Sequence, residues 1–178
     1  MLEYKKCQVK NVNYNDVLVK YKKKNKVLFS RESHCLQPLL EALRSKQHAT
    51  IVLWALESCE SIYHQLDDDP NDTIIQAIDL CWQWARGEIK MPQAKPSILQ
   101  VHGLAKQIDD PVKIAYYHAI GQGLSAIHVE THAIGLVMYE LTAIIRKNGI
   151  DCVECLDQKI ENYIQHLQQC EKNVNRYT

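Results

Sequence analysis

Apolar side chains recur at helical spacing along most of the chain. In residues 49–66, for example, Ile51, Trp54 and Ile62 fall on one side of a helical wheel that advances about 100° per residue. Residues typical of helix starts and stops separate such stretches from one another. The pattern therefore predicts an all-α protein, built as a bundle of about six helices.

Capping residues and prolines set the predicted helix boundaries. The predicted segments run over residues 33–44, 49–66, 70–87, 92–108, 111–147 and 151–173. Asp69 and Asp110 are predicted caps, because each precedes a proline, which is tolerated at the first helical position. The fifth segment would be more than about 50 Å long at about 1.5 Å per residue, so we predict a kink or break near Gly121–Gly123.

The first thirty residues show a different pattern. The stretches VLVKY and KVLF are short and rich in valine and leucine, with lysine and asparagine between them. Such a pattern is consistent with a small hairpin. We therefore expect a small N-terminal β or irregular appendage over residues 1–30, and a helical domain over residues 31–178.

Charge and composition exclude several classes of partner. The chain has 178 residues, 46% of them apolar, which is enough for one domain with a real core. Basic and acidic residues both number 21, so no net field draws the chain toward a nucleic acid or a membrane. The basic cluster Lys20–Lys26 has no interleaved aromatic residues and is interpreted as a solvated turn. We expect neither nucleic acid nor membrane as a partner.

The absence of a recognisable targeting signal and the pattern of cysteines both favour a cytoplasmic protein. The stretch MLEYKKCQVK has no apolar core of a signal peptide, and no run of about 18 apolar residues occurs. The seven cysteines are scattered and odd in number, which is typical of reduced, mostly buried thiols. Cys152 and Cys155 form a CxxC pair, but no second pair accompanies it and no βαβ pattern surrounds it.

The most unusual stretch is HAIGQGLSAIHVETHAIG, in which HAIG begins at His118 and again at His132. On one continuous helix these residues would form a polar stripe with Gln122, Ser125 and His128. The rest of that helix is apolar, so the stripe is predicted to be a partly buried polar seam whose members need hydrogen-bond partners.

This stretch departs from the enzyme motif that it most resembles. HVETH resembles the zinc-protease motif HExxH, but its carboxylate, Glu130, does not directly follow the first histidine. The chain has no P-loop, no GxGxxG, no GxSxG and no Glu-x-x-His pair. We therefore predict no catalytic residue and no cofactor.

A metal site is the alternative for the histidines. His128 and His132 are four residues apart and can face one another on a helix. A zinc ion would need a further ligand, for which His102, Cys59 or Cys81 are candidates. The alternative function is thus a metal-binding helical protein or a metal-dependent enzyme.

A second cluster is WQWARGEIKMP, residues 82–92. Gly87 is placed to end a helix, and Arg86 lies near its negative end. Glu88 has no such local explanation, so we expect it to pair with a histidine or arginine of another helix.

Taken in order, these motifs resemble a known family. The segment from Trp84 to Glu88, His102 ahead of an Asp-Asp-Pro turn, and the run from Gly121 to Tyr139 are similar to the bacterial immunity proteins of polymorphic-toxin systems. The similarity covers about residues 50–145. It implies a cytoplasmic, all-helical protein that binds and neutralises a cognate protein toxin without catalysis.

The resemblance maps Trp84, Arg86, Glu88, His102, His128 and His132 onto a shared centre, and the predicted polar seam adds His118 and Gln122. The predicted central polar cluster consists of Arg86, Glu88, His102, His118, Gln122, His128 and His132. In this cluster His128 and His132 are expected to hydrogen-bond to Arg86, Glu88 or His102. Toxin contacts are expected on other surfaces, with the acidic turn 67–72 and Lys20–Lys26 as candidates. The sequence leaves the oligomeric state open.

Overall fold

A computed structural model describes residues 14–66 and 71–174, which contain eight α-helices and no strand. The helices are α1 Asn15–Lys22, α2 Gln37–Arg44, α3 His48–Tyr63, α4 Asp72–Ala85, α5 Met91–Leu104, α6 Pro111–Ser125, α7 Ala133–Asn148 and α8 Val153–Asn173. Short 3-10 turns occur at His34–Leu36, Ala105–Gln107 and Glu130–His132. The prediction of an all-α bundle is confirmed.

The predicted N-terminal hairpin is wrong over the described residues. VLVKY lies inside α1, and KVLF follows as irregular chain. Burial of apolar side chains explains why this segment does not form a hairpin. Val17 packs into the core from one face of α1, and Leu28 and Phe29 are also buried. The Tyr14 hydroxyl donates a hydrogen bond of 2.7 Å to Asp157 of α8, so this segment is tied to the other end of the chain.

Two predicted helix caps have different outcomes. Asp110 caps α6 as predicted, because its side chain accepts hydrogen bonds from the backbone N–H groups of Val112 and Lys113. Asp69, the predicted cap of α4, lies outside the described residues. The side chain of Asn71 caps α4, accepting from the N–H of Ile74 at 3.3 Å, so the helix begins two residues later than expected.

The break in the long helical segment is not at Gly121–Gly123. α6 continues through both glycines to Ser125, and the chain then turns before α7 begins at Ala133. A Cβ at position 123 would overlap Cys59 Sγ and lie 2.5 Å from Leu136 Cδ1. These glycines therefore allow close packing of α6 against its neighbours and do not bend it.

Helix α3 lies at the centre of the bundle and packs against α4, α6, α7 and α8. Its Trp54 is fully buried and donates a hydrogen bond of 3.1 Å from Nε1 to the carbonyl oxygen of Tyr163 in α8. Their rings meet edge to face, with centroids 5.3 Å apart. This contact fixes α8 on α3.

One carboxylate lies within the core. Glu140 of α7 is fully buried, and Lys159 Nζ of α8 lies 2.7 Å from its Oε1 atom. Burial raises the pKa of Glu140, whereas the ammonium of Lys159 acts in the opposite direction. α7 and α8 are thus joined by a charged pair of which one partner has no contact with water.

None of the helices in residues 14–66 and 71–174 combines the length and the apolar character that crossing a membrane would require.

Candidate functional site

His132 is held by a residue of α6. Its Nδ1 atom lies 2.8 Å from Oε1 of Gln122, so the ring N–H donates to the amide oxygen. Gln122 can reach this position because residue 135 is glycine. A Cβ there would lie 2.5 Å from the Gln122 oxygen. The sequence His132-Ala-Ile-Gly135 therefore contains both the histidine and the space for its partner.

The first HAIG copy makes room for a histidine of another helix. Ser125 donates from Oγ to the carbonyl oxygen of Gly121 at 2.8 Å, and His102 Nε2 lies 3.1 Å from the same Oγ. The hydroxyl proton is used on Gly121, so Nε2–H of His102 donates to Ser125. A Cβ at Gly121 would lie 2.7 Å from the His102 ring. In each copy, the glycine leaves space for a polar side chain of a neighbouring helix.

The remaining histidines extend this arrangement. The ring of His118 lies 4.9 Å from that of Tyr139 on α7. The ring centroids of His128 and His132 are 6.0 Å apart, and His128 is exposed in the turn between α6 and α7. The predicted single helical stripe is wrong, because the chain turns between Ser125 and His132. The antiparallel packing of α6 and α7 nevertheless brings most of the predicted residues together. We call this group, made of His102, His118, Gln122, Ser125, His128 and His132, the histidine seam.

Arg86 and Glu88 are not part of the histidine seam. Arg86 donates from Nε to Glu88 Oε1 at 2.6 Å and from Nη2 to Oε2 at 3.2 Å. Both side chains are exposed on either side of Gly87, whose φ of +74° places it in the left-handed region that ends α4. In the described part of the chain neither residue bonds to a histidine. The expected bonds from these two to His128 and His132 are wrong, because the pair is satisfied within its own turn.

The proposed metal ligands do not converge. Within the described ranges, no three ligand atoms of His102, His128, His132 and Cys59 lie within 4.8 Å of one another. The Cys59 thiol instead donates to the carbonyl oxygen of Ile120 at 3.5 Å, inside the packing of α3 on α6. The structure therefore gives no support to zinc at these residues.

A different group of possible metal ligands was not predicted from the sequence. Glu57 of α3 and His166 and Cys170 of α8 have ligand atoms that all lie within 4.8 Å of one another. His166 and Cys170 are four residues apart, and this spacing on a helix was a signal that the sequence offered. Nothing in the sequence placed Glu57 beside them.

The electrostatics of the histidine seam favour neutral imidazoles. Burial lowers the pKa values of His102, His118, His128 and His132. The charges of His118 and His132 lower the pKa of His102 further. Protonation of one seam histidine therefore opposes protonation of the next.

We expect the free energy of unfolding to decrease as the pH falls below about 6.5, the value for histidine in an unfolded chain. A lowered pKa in the folded state means that the unfolded chain binds protons first, so stability present above this pH is lost on acidification. Urea unfolding at pH 7.5, 6.5 and 5.5 measures the effect. His118→Phe keeps a ring against Tyr139 and should reduce the slope. A slope in His118→Phe equal to that of the wild type would contradict this assignment.

The fold and the seam together define an all-helical protein in which the half-buried His102 and His132 are bonded to side chains of α6. The model of the Imm-5 like putative immunity protein family matches residues 41–170, which include every residue of the histidine seam. This chain belongs to that family. The family resemblance read from the sequence motifs is thereby confirmed. No curated protein and no solved structure matches the chain.

Proposed function

We propose that this protein is an immunity protein that acts in the cytoplasm of a bacterial cell by binding and neutralising a cognate protein toxin. The family match over residues 41–170 is the observation that carries the proposal. The internal bonding of the seam supports binding as the mode of action, because His102 and His132 are committed to Ser125 and Gln122.

The histidine seam holds a surface turn in place. His132 ends the 3-10 turn Glu130–His132, and its bond to Gln122 fixes the end of this turn to α6. On the other side of the turn, Arg31 donates from Nη2 to the carbonyl oxygen of Thr131 at 2.9 Å. A turn held at two neighbouring residues, Thr131 and His132, provides a preorganised surface, which reduces the entropy lost on binding.

This turn forms one wall of a groove of about 190 Å³. The groove is lined by Arg31, Leu40, Leu43, Arg44, Ile51, Glu130, Thr131 and Ile134. Its apolar residues come from α2, α3 and α7, and two of its three charged residues are arginines. Arginine around an apolar pocket is a combination enriched at the energetic centres of protein interfaces. We place the toxin contact here, with an apolar side chain of the toxin in the groove and acidic residues around it.

The two surfaces suggested by the sequence contribute less to this proposal. Residues 67–70 of the acidic turn lie outside the described residues. The basic cluster Lys20–Lys26 covers the end of α1 and the turn that follows, where Lys20 pairs with Asp16 at 3.5 Å and the rest is exposed. Exposed lysines steer an acidic partner toward a surface more than they hold it there.

The function is tested with a toxin candidate chosen from the genes that neighbour the gene for this chain. Growth of a bacterial host is measured with that protein expressed alone and together with this one. We expect growth arrest in the first case, rescue in the second, and a purified one-to-one complex with a Kd in the nanomolar range or below. Arrest that persists despite full expression of this protein, with no complex detected by calorimetry, would refute the proposal.

The groove is tested by charge reversal at Arg44. This side chain is exposed in the last turn of α2, and it forms no hydrogen bond or ion pair within the described ranges. Arg44→Glu should raise the Kd for the toxin at least tenfold, because an acidic partner would then face a like charge.

The matched control is Lys106→Glu, at an exposed residue that does not line the groove. Circular dichroism should show both variants folded. A similar Kd for both variants would place the toxin elsewhere on the surface.

A further inference from the structure

Three residues with metal-ligating side chains meet where α8 packs on α3, away from the groove assigned to the toxin. His166 Nε2 lies 2.6 Å from Glu57 Oε2, and the Cys170 thiol donates to the same oxygen at 3.4 Å. One carboxylate oxygen therefore faces both an imidazole nitrogen and a thiol sulfur. Imidazole, thiolate and carboxylate are the three ligand types that bind Zn²⁺ in proteins.

The helix contact next to this group fixes its geometry. Trp54 and Tyr163, joined by the indole hydrogen bond, lie one turn before Glu57 and His166 respectively. Cys170 follows His166 by one further turn on the same face of α8 and is almost fully buried. All three ligands thus lie on rigid helices instead of loops, which favours a defined coordination geometry.

We propose that Glu57, His166 and Cys170 form a binding site for a divalent ion of the zinc type. In a tetrahedral zinc site, ligand atoms lie roughly 3.3–3.7 Å from one another, given bond lengths of about 2.0–2.3 Å. The sulfur already lies at such a distance from the carboxylate oxygen. The imidazole nitrogen has to move away from that oxygen by less than about 1 Å.

The charges of the three ligands and the protons released on binding are compatible with a divalent ion. The Cys170 thiol donates to Glu57 Oε2, so the metal-free protein carries S–H. Binding replaces the S–H bond with an S–metal bond and releases that proton to solvent. The proton on His166 Nε2 moves to Nδ1. A thiolate and a carboxylate then neutralise the two charges of the ion, which favours binding at a half-buried position.

The three ligands leave one tetrahedral position open. The side chains of Glu57 and His166 are 33% and 31% exposed, and they line a groove of about 360 Å³ together with Ser61 and Asn162. A water molecule or a side chain of a binding partner would complete the coordination from this groove. Lys159 also lines the groove, but its ammonium group is held by Glu140.

The test is a titration of the purified, reduced full chain with CoCl₂, followed by displacement with ZnCl₂. Cobalt bound by a thiolate gives a charge-transfer absorption in the near ultraviolet that free cobalt lacks. We expect this absorption to saturate at one ion per chain and to disappear when zinc is added. Absence of the absorption in the wild-type protein would overturn the proposal.

Variants assign the signal to this group. Cys170→Ala should abolish the charge-transfer absorption, and His166→Gln should weaken cobalt binding at least tenfold while the thiolate signal remains at saturation. Cys155→Ala, at an exposed cysteine, and the pair His128→Ala with His132→Ala should bind cobalt as the wild type does. Loss of the signal in Cys155→Ala but not in Cys170→Ala would also overturn the proposal. Circular dichroism shows whether Cys170→Ala folds. If it does not fold, His166→Gln still tests the proposal.

Discussion

Replacement of Lys159 with methionine should lower the free energy of unfolding at neutral pH by about 3 kcal/mol. The change leaves Glu140, which is fully buried, without the ammonium that lies 2.7 Å from its Oε1 atom. A charge buried without a partner costs several kcal/mol, whereas most of the lysine stem is replaced by the methionine side chain. Urea unfolding followed by circular dichroism measures the difference.

Two further variants separate this effect from a general loss of lysine. Lys46→Met removes the partner of Glu171, an ion pair in which the glutamate side chain is 51% exposed, and should cost at most about 1 kcal/mol. The double variant Glu140→Leu with Lys159→Met removes both charges and should be within about 1 kcal/mol of the wild type. A double variant as unstable as Lys159→Met would show that packing, and not the unpaired charge, is responsible.

The deficit of Lys159→Met should also depend on pH. The pKa of Glu140 is raised by burial, so the folded state binds this proton more tightly than the unfolded chain does. The stability linked to this group is therefore present at low pH and is lost as the pH rises through the folded-state pKa. Without Lys159 the pKa of Glu140 rises further. The difference between variant and wild type should thus be largest at neutral pH and should shrink on acidification, while changes common to both proteins cancel.

Gly123→Ala should destabilise the protein by about 2–3 kcal/mol. The new Cβ would overlap the sulfur of Cys59 on α3 and lie 2.5 Å from Leu136 Cδ1 on α7. Both side chains are fully buried, so neither can move aside without displacing other core atoms. Thermal unfolding followed by circular dichroism measures the loss.

Gly103 is the matched control for this substitution. It also lies inside a helix, α5, but a Cβ at this position has no atom within 4 Å. Gly103→Ala should therefore stabilise the protein by about 0.4–1 kcal/mol, because alanine loses less backbone entropy on folding. A loss of stability on substitution at 123 and a gain at 103 would identify close packing as the reason for glycine at 123. Destabilisation of equal size at both would argue for a role of backbone flexibility.

The presence of helix α6 was predictable from the sequence, whereas the residue at which it ends was not. The period of apolar residues and the Asp110-Pro111 start identified α6 correctly. The glycines at 121 and 123 suggested a kink, because a sequence alone does not distinguish a glycine that bends a helix from one that admits a neighbour. The difference lies in atoms of His102 and Cys59, which come from other helices.

The members of the histidine seam were largely predicted, but their partners were not. Spacing on one helix grouped His118, Gln122 and His132, and antiparallel packing of α6 and α7 brings these residues together although the chain turns between them. The pairing of Arg86 with Glu88 was missed because a bond between residues two apart depends on the local turn. Glu57 was missed for the opposite reason, since its partner His166 is 109 positions away along the chain.

The hydrogen bond between Tyr14 and Asp157 has a consequence for synthesis of the chain. These residues are separated by 143 positions, and Leu28 also donates from its backbone to Thr142, across 114 positions. Ribosomes add about 5–20 residues per second, so α1 emerges about 7–30 seconds before its docking site on α7 and α8 exists. Until then the apolar face of the N-terminal segment stays exposed to solvent. The bundle closes only when its last helix, α8, has been synthesised.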